Sequence, residues 1–306
     1  MINIKNLFWF RHDLRISDNI ALYNCSKKGK SAAIYIYDSN VINDKNFSNF
    51  HLDFINDSLL HLFDVFRKHG AHLNILYGES AKVLKSIIDK YNVHNIYSHH
   101  EVRDFKSREI NKKVKLLCSS IRVEWHQFQR NGVVAGLKNR DGWAYLWNKQ
   151  MNAPLVPTPN LSKFEKLELS QGVKKNKDFK STQLSYDKKF KGGEKEEKLQ
   201  LRKFLNETGQ TYSKDISSPL TAPTSCSRLS SYITYGNLSM RYIVNETKKK
   251  QIDLRKQKSR DGWLGSLAAF SSRLRWHCHF IQKLEMQPSL ENTNMVRSFD
   301  QIRTNP

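Results

Sequence analysis

The sequence has no apolar run approaching the roughly eighteen residues that a membrane-spanning helix requires, so no such span is expected. Its first residues, MINIKNLFWFRHD, lack the apolar core and cleavage site of a secretory leader. Cysteine is scarce. Cys25, Cys118, Cys226 and Cys278 lie far apart, none at metal-ligand spacing, and read as reduced thiols of a cytosolic (cytoplasmic) protein with no metal site. Acidic residues are also few. Against 51 Lys and Arg stand 29 Asp and Glu, a formal charge of +22. Such an excess points to a polyanionic partner, most simply nucleic acid, with an anionic membrane surface as the rival. Enrichment in Lys, Asn and Ile accounts for part of that charge as background. Finally, no Gly-rich dinucleotide fingerprint follows the first predicted strand, so an ordinary nicotinamide site is not expected.

What is present begins with an alternation. Short apolar runs at Asn6–Phe10, Ser31–Tyr37, His72–Tyr77, Val93–Ser98 and Ile121–His126 predict five strands. Helical segments fall between them at Asp18–Lys28, Ser48–His69, Ser80–Tyr91 and Asp104–Cys118. In the second of these, Phe50, Phe54, Leu59, Leu62, Phe63 and Phe66 recur at helical spacing. Strands alternating with helices imply a parallel, doubly wound, Rossmann-like sheet over residues 1–130. Ligands of such sheets sit beyond the carboxyl ends of the strands, which draws attention to the first loop, Arg11 to Asp18.

Beyond Phe128 the character changes. Residues 131–200 read as an interdomain connection, with Trp143 and Trp147 on a short helix and a Lys-rich, partly mobile surface linker over Leu161 to Glu197. Glu194–Glu207 reads as a polar helix. Residues 201–306 are mostly helical. Adjacent helices are expected at Thr221–Gly236 and Gly236–Lys250, hinged near the glycine, and a long one at Asp261–Glu285, where Leu264, Leu267, Phe270, Leu274 and Ile281 share a face. The basic clusters Lys248–Lys250 and Lys256–Arg260 suit phosphate contact, or form solvated helix faces. His277 and His279 flank Cys278, but residues one apart on a helix do not face each other, so a metal site is rejected.

The most informative stretch is Pro223 to Arg241, PTSCSRLSSYITYGNLSMR. Thr224, Ser225, Ser227, Ser230 and Ser231, with Arg228, crowd a predicted helix start. Free N–H groups and the positive end of the helix dipole form an anion site there, and Arg228 in the first turn adds a fork suited to phosphate. An ordinary Ser-capped amphipathic helix is the competing reading.

Four segments together, WFRHDLRISDNIAL (9–22), NGVVAGLKNRDGW (131–143), SCSRLSSYITYGNLSMR (225–241) and FSSRLRWHCHFIQKLE (270–285), resemble the photolyase/cryptochrome flavoproteins. The first and third are the most specific, and the resemblance runs across essentially the whole chain. It implies an N-terminal α/β antenna domain that often holds a folate or deazaflavin, followed by a helical domain that binds a bent FAD. In the repair enzymes of this family, excited reduced flavin donates an electron to a pyrimidine dimer in DNA, the dimer splits and the electron returns.

By the same resemblance Tyr212 matches a residue ahead of the phosphate loop. Cys226, Ser227, Arg228, Leu229 and Ser230 match the loop that touches the flavin's phosphates and ribityl chain, with Cys226 where Thr is common. Phe270, Arg273 and His277 fall on the helix lining the flavin pocket. Trp276 matches the indole that packs on the lesion, with Arg275 beside it toward the DNA. Arg273 stands where many dimer-repair members carry Glu; it supplies a fixed positive charge but cannot accept a proton. The electron-transfer tryptophans and the rest of the isoalloxazine pocket are not found in these 306 residues, so the helical domain is expected to be incomplete. Alternatives are a blue-light photoreceptor, a non-catalytic DNA-binding remnant, or a nucleotide-binding protein that uses only residues 1–127. The antenna is not named by the candidate segment Ser98 to Asp104.

Overall fold

Strand β1 (Asn6–Phe10) is buried at every position, and so is β2 (Ser31–Asp38). Continuous rather than alternating burial means that both faces of the sheet are covered, as a parallel sheet requires. The computed structural model describes residues 4–45, 47–168, 191–300 and 302, together with the backbone of 174–175. Helix α1 (Ile20–Ser26) follows β1, its start fixed by Asn19, whose side chain accepts from Leu22 N at 2.9 Å. A short α2 (Ser39–Ile42) and the long α3 (Asn49–Lys68) follow β2. Then come β3 (Leu73–Gly78), α4 (Ser80–Tyr91), β4 (Asn95–His99), α5 (Phe105–Ser120) and β5 (Glu124–Phe128).

The sheet order is β5-β4-β1-β2-β3-β6, where β6 (Lys174–Lys175) adds an antiparallel edge to the five parallel strands expected. Phe8 of β1 pairs in register with Ala33 of β2 on one side and Tyr97 of β4 on the other. The chain therefore leaves β1 in one direction and returns on its other side at β4. That reversal places the switch point, where ligands collect, above β1 and β4.

One face of the sheet packs on α4 and α5 through Leu7, Trp9, Ile34, Leu84, Ile87 and Val114. The other face belongs to a larger core that does not stop at the α/β half. It runs from Phe8, Tyr35, Phe54 and Phe66 to Tyr232, Tyr235, Leu267 and Phe270 of the helical half. That half begins with α6 (Trp143–Asn152) and α7 (Glu194–Lys203), followed by a π-helical turn at Phe204–Thr208 and a 3-10 turn at Gly209–Thr211. Helices α8 (Tyr212–Asp215), α9 (Ala222–Ser225), α10 (Ser230–Tyr235), α11 (Met240–Lys256) and α12 (Trp263–Met286) complete it.

Three expectations are corrected. Phe50 and Phe63 share the spacing of the α3 core residues yet are exposed, because the sheet covers only the stripe through Phe54, Leu59, Leu62 and Phe66. The start of the predicted surface linker is not a linker: Leu161, Phe164 and Leu167 are buried. Its backbone brackets β2, with Ser31 N donating to Lys163 O (3.0 Å) and Glu165 N to Ser31 O (2.8 Å). Most of the rest of that predicted mobile segment lies outside the described residues. The predicted helix Thr221–Gly236 is broken in two at Cys226–Leu229.

Candidate functional site

The loop after β1 is buried where solvent would be expected. Asp13, Leu14, Arg15, Asp18 and Asn19 all lie inside the protein, because the helical half is built directly over them. Leu14 N donates to Tyr235 O (3.0 Å), Arg15 Nη1 to Gly236 O (2.9 Å) and Asn237 Nδ2 to Leu14 O (3.1 Å). Gly236 has φ +66°, and a Cβ there would lie 2.3 Å from His12 O. Only glycine permits both that conformation and that approach. Arg241 at the start of α11 grips Asp18 bidentately, Nε donating to Oδ2 at 3.0 Å and Nη2 to Oδ1.

A charged cluster fills the switch point. Glu101, after β4, pairs with Arg11 (2.8 Å) and with His12, while Arg130 lies 3.7 Å away. Asp13 accepts from Arg11 N at 2.8 Å and pairs with His99 at 2.7 Å. Burial alone would raise Glu101, but Arg11, His12 and Arg103 outweigh it and hold its carboxyl well below the usual range. Burial pushes the His12 imidazole down to about 4, helped by Arg103, and the nearby Glu101 only partly opposes it. These groups were not singled out individually in the sequence. The only signal was their position in the two loops beyond β1 and β4.

Beside this cluster, beyond the carboxyl ends of β1 and β2, opens a cavity of about 330 Å³. Trp9, Tyr35 and Tyr37 form its aromatic wall, and His51, Arg103 and Lys106 bring nitrogen donors to it. Arg11 lies 4.6 Å from the Trp9 ring centroid, and Tyr35 meets Tyr37 edge-on at 5.0 Å. Asp38, Asp44, Asp104 and Glu291 also line it, and Lys106 pairs with Asp44, so the aromatic wall suits a planar ring bearing both donors and acceptors.

The hydroxyl-rich stretch forms a second region. Arg228 has φ +56° between α9 and α10, so it belongs to a kinked loop rather than to the first turn of a helix, as had been expected. Ser225 Oγ donates to Asp215 Oδ2 (2.6 Å) and Thr224 Oγ1 to Thr221 O (2.9 Å), so both hydroxyls serve the local fold. Gln200 Nε2 donates to Ser227 O (2.9 Å) and holds the loop from behind. Among the described residues, the amides of Ser227 and Leu229 donate to no protein acceptor. Leu229 is buried, while Ser230 and Arg228 are exposed and Cys226 is partly covered.

Tyr212 sits under this loop. Its ring meets Phe270 of α12 at 5.8 Å, and Phe204 packs against both, at 5.4 Å and 4.6 Å. Burial, with Cys226 close by, pushes the Tyr212 phenol up to about 12, and Arg273 partly opposes the rise. Tyr212, Cys226, Phe270 and Arg273 are thus brought together. Trp276 is 50% exposed, with the Arg273 guanidinium 4.8 Å from its ring centroid and Phe280 6.2 Å away. Arg275 does not join them; it turns to the other side of α12 and lies over Trp147 at 5.3 Å. His277 turns toward Arg130 and Thr234 in the seam between the two halves, where it lines a smaller cavity. Burial, then Arg130, pushes its imidazole down to about 4. The residues present fit a phosphate-bearing ligand at the loop, with free amides, a nearby guanidinium and an aromatic floor. Among the described residues no group of His, Cys, Asp and Glu side chains is arranged to hold a metal.

Comparison with known proteins agrees with this layout. The DNA photolyase family model matches residues 6–145. A cryptochrome DASH of Arabidopsis thaliana, the chloroplastic/mitochondrial form, is 27% identical over 128 residues, covering 39% of this chain and 22% of its own length. Cryptochrome-1 of Anopheles gambiae is 26% identical over 131 residues, covering 40% and 24%. A class III photolyase from Agrobacterium tumefaciens superposes with a TM-score of 0.79 at 19% identity, over 100% of this chain and 64% of its own. The archaeal photolyase from Sulfolobus tokodaii, whose structure holds two FAD molecules, superposes with 0.71 at 21% identity, over 97% and 63%. The chain thus spans less than two thirds of the length of the relatives it matches. The structural likeness establishes the fold of both halves. The family-model match and the two cryptochrome relatives make the α/β half, residues 6–145, similar to the DNA photolyase family, and the structural likeness extends that fold to the helical half.

Proposed function

We propose that the chain serves light-driven, FAD-dependent repair of DNA, splitting pyrimidine dimers. One arrangement carries this reading. Helix α12 buries Phe270 against Tyr212 beneath the 226–230 loop and, two turns on, presents Trp276 half-exposed with Arg273 at its ring. Ser227, Leu229 and Arg228 are the groups placed to hold the flavin's phosphates, with Cys226 and Ser230 alongside and Tyr212 beneath. Held by these residues, an excited reduced flavin would supply the one electron that opens the dimer and would recover it afterwards.

The chain's own residues do the rest. Extruding a damaged base costs a few kcal/mol, least for a base already unpaired or distorted. Stacking on Trp276 returns about 1–3 kcal/mol per base. Arg273 sets a fixed positive charge where negative charge develops on the lesion. The basic excess of the chain, including half-buried Lys248 and exposed Lys249 of α11, binds backbone phosphates without reading sequence. The aromatic-walled cavity above β1 and β2 is the place for an antenna chromophore, a folate or a flavin-type ring. In the archaeal relative a second FAD is implicated as a light-harvesting cofactor.

A second reading rests on Arg273 itself. A carboxyl can exchange a proton with the dimer's carbonyls, whereas a guanidinium only donates, which favours a blue-light photoreceptor or a DNA-binding remnant. The deciding experiment illuminates the FAD-reconstituted protein with DNA containing defined dimers. Flavin retention with light-dependent loss of dimers supports repair. Flavin and DNA binding without loss of dimers supports the photoreceptor, and DNA binding without flavin supports the remnant.

A further inference from the structure

A cavity of about 200 Å³ lies in the seam between the α/β and helical halves, and neither the flavin loop nor the larger cavity accounts for it. Its polar lining is Arg103, Arg130, His100, His277, Asn131 and Thr234, and no carboxylate lines it. Arg130 donates through Nη2 to Ile233 O (2.8 Å) and Thr234 O (2.9 Å). Its Nη1 stays 3.7 Å from Glu101, beyond hydrogen-bond distance. Arg103 reaches both this cavity and the larger one. Among the described residues its guanidinium makes no hydrogen bond and no ion pair within 4 Å.

The local charge balance is uneven. Arg11, Arg15, Arg103 and Arg130 converge on Asp13 and Glu101, and Asp18 is already engaged by Arg241. Four guanidinium groups therefore face two carboxylates at the cluster itself, with Glu197 acting on Arg15 and Glu285 on His100 from outside it. The imidazoles carry no compensating charge: burial, then nearby arginines, pushes His12 and His277 down to about 4, and burial lowers His99 against Asp13 and His100 against Glu285 and Glu101. Buried charge is costly unless it is paired, and planar guanidinium forks match phosphate oxygens. We infer that the seam cavity binds a phosphate-type oxyanion, held by Arg103 and Arg130 with Asn131 and Thr234 as neutral donors. The site holds either a free phosphate or diphosphate, or the phosphate tail of a ligand whose ring occupies the larger cavity, since Arg103 borders both. The free-anion site is independent of the flavin reading, whereas the ring-bearing ligand rests on the antenna proposed for the larger cavity; the test needs neither reduced flavin nor light.

The experiment is calorimetric titration of the full chain at constant ionic strength. The probes are inorganic phosphate, pyrophosphate, FMN and riboflavin, each with wild type, Arg103→Gln and the exposed control Lys68→Gln at the end of α3. The expected result is saturable, one-to-one binding of phosphate or pyrophosphate, weakened at least tenfold by Arg103→Gln and unchanged by Lys68→Gln. If the anion belongs to a larger ligand, FMN binds more tightly than riboflavin and loses that advantage in Arg103→Gln. Should Arg103→Gln fail to fold, Thr234→Val removes a neutral donor and is expected to weaken binding about threefold to tenfold. The inference is overturned if no oxyanion binds saturably and FMN binds no better than riboflavin. It is also overturned if the control weakens binding as much as the seam variants do.

Discussion

Replacing Arg241 by Met tests how the two halves are tied. Asp18 lies in the loop after β1 with φ +49° and a side chain only 3% exposed; Arg241, on α11, is 11% exposed. The variant keeps the apolar stem and removes the guanidinium. Removing one partner of a buried ion pair costs about 3–5 kcal/mol, because the remaining charge is left uncompensated. Here Asp18 keeps one donor, Val156 N at 2.8 Å, so the lower end of that range, about 3 kcal/mol, is expected. Asp18→Asn in the same background removes the orphaned charge and should recover about 1–2 kcal/mol, an ordinary coupling for contacting residues. Urea unfolding at pH 7 gives both values, with an unchanged slope confirming that the same surface is exposed. A loss below about 1 kcal/mol for Arg241→Met, or no recovery in the double variant, would refute the reasoning.

Gly236→Ala should lower stability by at least about 1–2 kcal/mol from the left-handed backbone alone. The collision with His12 O should add to this, and a drop in soluble yield and thermal midpoint checks both. Trp276→Ala should leave the unfolding midpoint nearly unchanged, since the indole is half in solvent, yet weaken binding of dimer-containing DNA about tenfold in a fluorescence-anisotropy titration. Stability should also fall on acidification. His12 and His277 are held near 4, below the ordinary 6.5, so between these values the unfolded chain takes up protons that the folded one refuses. Stability is then full above pH 6.5 and declines as pH drops toward 4, and a flat profile of urea midpoints over that range would contradict the burial of these rings.

The α/β half was legible because its strands are continuous apolar runs and its helices carry ordinary start signals, such as Ser48 capping Phe50 N at 3.2 Å. Tyr212, Phe270 and the 226–230 loop were legible through resemblance, and they do come together. Phe50 and Phe63 misled because helical spacing identifies a stripe but not its width, and the sheet under α3 is narrower than the stripe. The kink at Arg228 was invisible because Cys-Ser-Arg-Leu contains no glycine or proline to announce it. Arg275 was grouped with Trp276 by adjacency, although neighbours on a helix point about 100° apart, and it rests on Trp147 instead. The charged cluster stayed hidden because Asp13, His99, Glu101 and Arg130 are dispersed over more than a hundred residues and meet only when β1 and β4 pair.

The buried loop after β1 has a consequence for how the molecule is made. Leu14, Arg15 and Asp18 find their partners at Asn237, Gly236 and Arg241, 221 to 223 positions later in the chain. A ribosome extends a chain by about 5–20 residues per second, so this segment waits on the order of ten seconds or more, polar groups still wet, before its partners emerge. During that interval the nascent sheet cannot close its upper edge. Severing the polypeptide within the connection and co-expressing the two pieces should therefore yield reassembled material, while the first piece alone should be captured by chaperones.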